Sequence, residues 1–471
     1  MATASKYTNP KFLSWVLVLI GATAQLKLLF DNQSLWLDEA TLALNILKKD
    51  YSELLGILDY ELIVPPGYLI LQKFIAGIFN YSEFGFRLIS FLGGVGILFY
   101  LRKTLFADFN DRLALVGVSI GILSFSILNF SVEARHYILE VLFTLILISL
   151  WKKDRMSLFY IVATISTLFS LATIFVLGGI LLIDILQKRP FRLLYGHLSW
   201  LAVFTSIYFQ FYFNHPYQEL LVDGHLNEGN LIPFGLDGIL IVYQKFSRFF
   251  VEPMGFSLIG IGMLLFSLGT WLSFKEKDII GLVTVGTLFV ASALGLYPVG
   301  MRFSIFLFPL FLFPILKGGE YVLEKSKPMF YFVVALLLMN PILKFPSRIF
   351  NPKVKEDWRS AVKYFESNYR EKIIYLSYNS RAPFHFYESQ LGYDFREFEI
   401  IEGNKLNDFE TFKQDIEDLK ASKFCVLIGH DFPIEEYFST EEKIKWLSQN
   451  FKIESQKVFE GGLVLFRLLA K

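Results

Sequence analysis

Apolar runs of roughly 15–20 residues, separated by short loops, recur along most of this chain, and they constrain its fold more than any other feature. Such runs are long enough to cross the hydrocarbon of a bilayer as helices, so the sequence reads as a polytopic membrane protein. The composition agrees: of 471 residues, 54% are hydrophobic, 17% aromatic and 19% charged, and Phe alone occurs 51 times. A soluble domain of this size carries more charge and less Phe. A net charge of +1 gives no reason to invoke nucleic acid. One cysteine, Cys425, excludes an internal disulfide and a Cys-based metal site.

The polar N-terminus MATASKYTNPK leads into the apolar stretch 12–30, which is too long for a signal-peptide core and reads as a retained helix. Further spans are expected at about 86–101, 112–130, 136–151, 194–213, 254–273, 278–296, 302–317 and 329–345. Lys and Arg gather at 102/103, 152/153/155, 188/189/192, 275/277 and 317/325/327. Placing these clusters and the N-terminus in the cytoplasm fixes the topology. It requires 157–187 to cross twice, as two short helices meeting near Leu171–Thr173. It also requires 65–80 to lie at the interface, since about 16 residues of helix span only ~24 Å and carry Lys73 mid-way. The expected fold is an all-α polytopic membrane domain of about 11 transmembrane helices over 1–346, with an outer catalytic loop at 31–85. The outer face would also carry the turn SVEARHY (131–137), the loop 214–252 and the turn LYPVGMR (296–302).

After Pro346 the long apolar runs stop. EDWRSAVKYFESNY predicts an amphipathic helix, and KIIYLSY, KFCVLIGH, FKIESQKV and GLVLFRLL predict short strands among helices near 406–420 and 441–450. Residues 347–471 are therefore expected to form a small extracytoplasmic α/β domain.

Within 31–66 the adjacent acids Asp38 and Glu39 open a predicted helix, 38–48. Two readings stand. Acids in a first helical turn are favoured by the helix dipole. Alternatively, one acid serves as general base toward an acceptor hydroxyl in a water-poor cleft. Placing two acids beside Trp36 and Leu37 at a membrane surface is costly, which favours the second. Glu133, Arg135, His136 and Tyr137 lie where one span ends and the next begins. They read either as an interfacial turn or as a site in which Arg135 binds phosphate and Glu133 orients it. Arg87 and Arg302 are basic residues at outer span ends, against the inside-positive pattern, and Lys73 is a further cation. His197 and His215 read as structural or exposed. No spacing of His and acids marks a metal site, and a divalent metal stays open as a cofactor.

Acids and cations on an outer membrane face suit one division of labour. A base deprotonates an acceptor, and cations stabilise a phosphate leaving group. The motifs LWLDEATLA, VPPGYLILQKF, FRLISFLGG, SVEARHYILEVLF and YPVGMRFSIFLFPL, in that order, resemble those of the integral-membrane C-type glycosyltransferases. The nearest branches are the protein O-mannosyltransferases, aminoarabinose transferases and rhizobial lipopolysaccharide glycosyltransferases. The resemblance covers roughly 10–345. It implies a polyprenyl-phosphate-linked sugar donor, inverting transfer, and a protein, lipid or polysaccharide acceptor at the outer face of a bacterial inner membrane. It implies that Asp38 acts as base or binds the acceptor, with Glu39 beside it. It also implies that Arg87 and Arg135 lie near the donor phosphate. One departure is Val64, where relatives often carry His or Lys before the Pro.

A transporter or lipid flippase is the alternative. It would place ionisable residues at mid-membrane depth in two similar halves. Here the polar residues gather at one face, and no two-half similarity is visible. A scaffold would leave the outer acids and arginines without a role.

Overall fold

The computed structural model describes residues 9–470, apart from 214, 217, 234, 370–372, 404–408, 420–421 and 430–439. The chain forms two compact units. One comprises Met1–Asp31, Ile63–Leu71 and Arg87–Pro352; the other comprises Asn32–Leu62, Gln72–Phe86 and Lys353–Lys471.

The first unit is helical. Its opening helix, Pro10–Phe30, starts with Pro at the first position, and the Asn9 side chain accepts the Lys11 N–H at 2.9 Å. Among the described residues four helices are long and apolar enough to cross a membrane: Pro10–Phe30, Glu83–Asp108, Met301–Lys325 and Lys327–Phe350. Shorter apolar helices include Met156–Phe169, Thr173–Leu186, Ile259–Lys275 and Ile280–Ala293. The expected break near Leu171–Thr173 is present. Ser170 makes it, accepting the Thr173 N–H at 3.0 Å and donating to Glu140 Oε1 at 3.2 Å. The stretch 112–130, expected as one span, is instead two helices, Asp111–Leu123 and Phe125–Phe130. Ser124 divides them because its hydroxyl accepts the Ile127 N–H at 3.2 Å and starts a new helix. The expected loop 214–252 also carries helices, Gln218–Asn227 and Leu236–Val251.

Helix Ile259–Lys275 meets helix Phe308–Lys325 backbone to backbone. A Cβ on Gly269 would lie 1.7 Å from the Pro314 carbonyl oxygen, and one on Gly318 would lie 2.2 Å from that of Leu265. Only glycine permits this approach. Beside it, the Phe311 ring packs tilted against Phe249 at 4.2 Å and stacks with Phe266 at 4.7 Å. A second tie is polar. Asp184, fully buried, accepts the Trp151 indole N–H at 2.9 Å and faces His197 Nε2 at 3.1 Å. The Trp200 indole donates to His197 Nδ1 at 3.0 Å. An indole can only donate, so His197 carries its proton on Nε2, toward Asp184. His197 is thus a structural histidine joining helices Tyr137–Lys152, Thr173–Leu186 and Phe191–Ile207.

The second unit holds a five-stranded sheet built from β1 (Ile373–Leu376), β2 (Glu399–Glu402), β3 (Lys423–Ile428), β4 (Phe451–Val458) and β5 (Val464–Ala470). Its order is β2-β1-β3-β5-β4, with β1 parallel to both β2 and β3 and with β5 antiparallel to both β3 and β4. Central β3 is buried from Phe424 to Ile428 and contains Cys425. Edge strand β4 alternates, with Lys452, Glu454 and Gln456 facing water. The amphipathic helix is Trp358–Asn368. Trp358, Ala361, Val362 and Phe365 are all buried on one stripe, and Asp357 caps it by accepting the Ser360 N–H at 3.2 Å. His430, at the end of the predicted strand KFCVLIGH, lies outside the described residues.

Candidate functional site

Asp38 and Glu39 belong to the second unit. They occupy the first turn of helix Leu37–Lys48, as the acid pair predicts. Their environments differ. Glu39 is fully buried and turns back to accept the Trp36 N–H at 3.4 Å, so it serves its own helix start. Asp38 is half-buried. Of the two, Asp38 is the more exposed acid.

The segment before the helix is held by residues more than three hundred positions away. Leu35 donates its N–H to the Tyr387 phenol at 2.6 Å, and the Ser34 hydroxyl donates to the same oxygen at 3.0 Å. Tyr387 in turn donates to Glu83 Oε1 at 3.2 Å. Arg359 closes the ring, reaching Glu83 Oε1 from Nε at 2.8 Å and the Asn32 carbonyl from Nη2 at 2.7 Å. Leu37 donates its N–H to Glu356 at 2.7 Å. Burial, with the Glu83 charge beside it, pushes the Tyr387 hydroxyl well above its usual range. The stretch EDWR at 356–359 is thus a clasp on the acid loop.

Further along the loop, Asn45 is buried inside the helix. It donates to the Asp59 carbonyl at 3.1 Å and accepts the Asp59 N–H at 2.8 Å, fixing the returning strand of the loop. Lys73 donates to the carbonyls of Ile46 and Lys49 at 2.8 and 2.6 Å, and so caps the C-terminus of the same helix. Arg381 stacks on Tyr378 at 4.3 Å and on Tyr60 at 5.5 Å, while Tyr378 donates to Glu61. Tyr60 and Glu61 have φ of 61° and 54°, a strained pair that these contacts hold.

The other sequence candidates lie in the first unit. Arg87, Glu133, Arg135, His136 and Tyr137 are each 4–6% exposed. Arg87 shares a helix face with Ser90, whose hydroxyl donates to the Arg135 carbonyl at 2.8 Å. The turn carrying Arg135 is therefore fastened one helical turn from Arg87. Asn129 donates to Glu133, and His136 Nε2 lies 3.6 Å from Glu140. The His136 ring meets Tyr68 edge-on at 5.8 Å. Tyr137 meets Phe303 at 5.9 Å, and the Arg302 guanidinium lies 5.0 Å from that Phe303 ring. Arg302 thus borders the turn through an aromatic bridge, and its charge also helps to lower the Glu228 carboxyl, after His225. The structure brings Arg87, Glu133, Arg135, His136, Tyr137 and Arg302 into one neighbourhood of the first unit. It places Asp38, Glu39 and Lys73 on or against one helix of the second. Among the described residues no group of three or more His, Cys, Asp or Glu is placed to hold a metal ion.

Sequence reasoning missed Glu356, Glu83 and Tyr387. Glu356 entered it only as the first residue of the predicted amphipathic helix EDWRSAVKYFESNY.

Apolar helices, an acid-bearing first loop and a small α/β tail make up the fold of this chain. Two crystal structures share it from end to end. ArnT from Cupriavidus metallidurans in the apo state aligns at a TM-score of 0.55, over 99% of this chain and 98% of that one, at 9% identity. ArnT from the same organism bound to undecaprenyl phosphate aligns at 0.52, over 97% of each chain, at 10% identity. At these identities the likeness is one of fold. No protein-family model matches the sequence, and no curated protein matches it.

Proposed function

We propose that the protein is an integral-membrane glycosyltransferase that moves a sugar from a polyprenyl-phosphate donor to an acceptor hydroxyl at the outer membrane face. The observation that carries this reading is the end-to-end fold likeness to ArnT, one structure of which holds undecaprenyl phosphate. Buried Arg87 and Arg135 support it, the Arg135 turn being tied by Ser90 one helical turn from Arg87, because a lipid phosphate needs desolvated cations.

Asp38 takes the proton of the acceptor hydroxyl. The acceptor oxygen attacks the anomeric carbon from the face opposite the phosphate, and the bond from that carbon to the phosphate oxygen breaks. The configuration inverts and the polyprenyl phosphate departs as an anion. Arg87, Arg135 and Arg302 stabilise that anion; Glu133 orients Arg135, and His136 and Tyr137 lie beside it in the same turn. Glu39 and Lys73 hold the two ends of the helix that carries Asp38. In this reading the N-terminus is cytoplasmic and 347–471 is extracytoplasmic.

The test is mass spectrometry of lipid co-purified with wild type, Asp38→Asn and Arg135→Ala, alongside transfer assays with the lipid so identified. A polyprenyl-phosphate sugar that accumulates on Asp38→Asn and is lost on Arg135→Ala is the expected result, with transfer lowered about 100-fold or more in Asp38→Asn. Near wild-type transfer by Asp38→Asn would overturn the role given to that acid.

A further inference from the structure

Glu356 is 3% exposed, and two donors converge on one of its oxygens. The Leu37 N–H and the Trp358 indole N–H each reach Oε2 at 2.7 Å. Leu37 is the first residue of the helix whose second residue is Asp38. The chain around Glu356 has little room to move. A Cβ on Gly461 would lie 2.0 Å from the Lys355 carbonyl oxygen, and Gly461 holds a φ of +84°. The Asp357 N–H reaches the Glu460 carbonyl at 3.0 Å. The Lys355 ammonium sits 3.9 Å from the centre of the Trp36 ring, the residue that precedes the helix. Residues 355–358 therefore hold both Trp36 and Leu37.

We propose that Glu356 is the positioning residue of Asp38: it fixes the helix start that presents Asp38 to an acceptor. The grip on the helix start stands on the geometry alone, and the presentation of Asp38 to an acceptor rests on the glycosyltransferase reading above. The charged groups around Glu356 are Asp38 and Lys355, with Glu39 turned onto the Trp36 N–H and Asp357 onto the Ser360 N–H. Burial pushes the Glu356 carboxyl up to about 7, the bonds from Trp358 and Leu37 pull it down, and the Asp38 charge adds to the rise. When Glu356 ionises, its bond to the Leu37 N–H becomes charge-assisted and the helix start is held more firmly. Acceptor activation by Asp38 then follows the ionisation of Glu356.

Because both N–H groups meet one oxygen, the amide oxygen of Glu356→Gln can accept both while the charge is lost. Glu356→Ala loses the charge and the grip together. Three measurements on the full chain in nanodiscs separate these roles. Hydrogen exchange of the peptide around Leu37 should stay slow in Glu356→Gln and speed up in Glu356→Ala. Intrinsic Trp fluorescence, with Trp358 and Trp36 beside the carboxyl, should titrate near pH 7 in wild type and not in Glu356→Gln. The kcat of transfer should rise through the same pH in wild type. It should flatten and fall up to about tenfold in Glu356→Gln, and fall about a hundredfold in Glu356→Ala, with KM little changed in both. Unchanged exchange in Glu356→Ala, or a fluorescence titration that persists in Glu356→Gln, overturns the proposal. A wild type that shows the exchange and fluorescence effects but transfers no sugar overturns the glycosyltransferase reading instead, and leaves the grip on the Asp38 helix standing.

Discussion

The Tyr387 hydroxyl accepts the Leu35 N–H at 2.6 Å across a sequence separation of 352 residues. This bond and its neighbours make the acid loop part of the C-terminal unit. Tyr387→Phe deletes the acceptor for Leu35 and the donor to Glu83 while keeping the ring. Leaving a buried amide and a buried carboxylate short of partners costs about 1–3 kcal/mol for each group. A melting temperature below wild type is expected by differential scanning fluorimetry. An unchanged melt would mean that water replaces both bonds.

Lys73 presents a sharper choice, because the sequence offers it as a phosphate-binding cation and the structure places its amine on the carbonyls of Ile46 and Lys49. Lys73→Gln is expected to lower stability by about 1–2 kcal/mol through loss of that cap. Retention of co-purified donor lipid should not change, in contrast to Arg135→Ala. Loss of lipid from a Lys73→Gln protein that melts like wild type would move Lys73 to the donor site.

His385 gives a pH dependence of known sign. Its partial burial lowers its affinity for a proton, but bonds to Glu388 and Glu402, each at 2.9 Å, outweigh that and raise its pKa above 6.5. A histidine with a raised folded pKa contributes stability that is complete below about 6.5 and lost as pH rises through the higher folded value. The difference in melting temperature between wild type and His385→Gln should therefore shrink from pH 6 to pH 9. A difference that grows over this range would contradict the assignment.

The contact between Gly269 and Pro314 leaves no space for a side chain. Gly269→Val should push helices Ile259–Lys275 and Phe308–Lys325 apart, at about 1–3 kcal/mol or more, and reduce the yield of monodisperse protein in size-exclusion chromatography. Gly286→Val, on a neighbouring apolar helix where a Cβ meets nothing within 4 Å, is the matched control.

The helical unit was legible because its signals are local. Apolar length marked the helices, and basic clusters on both sides of 157–187 forced a turn that Ser170 makes. Ser124 was not read as a break, since one serine in a long apolar run resembles any other until its hydroxyl is seen capping Ile127. In the C-terminal unit four strands were found, β1, β3 and β5 through consecutive apolar residues and β4 as a short segment that proves to alternate. Strand β2, with only Glu399–Glu402 and charged ends, was not. Helix Arg381–Leu391 was missed as well, because its aromatic residues and Pro383 obscure a helical stripe. Asp38 and Glu39 announced themselves as a pair. Glu356, although next to Asp357, did not, because an acid in a charged segment gains meaning only when Leu37, 319 positions earlier, donates to it. Long-range pairing is the part of this site that no spacing rule reaches.

Cys425 is fully buried in the middle of β3, and the chain has no other cysteine. A thiol reagent applied to the folded protein therefore meets no native target at the surface. Each cysteine introduced singly, at Lys49, Lys153 or Lys457 for example, becomes the sole reporter of the side of the bilayer it occupies. The natural sequence is already the background that a complete orientation map by membrane-impermeant labelling requires.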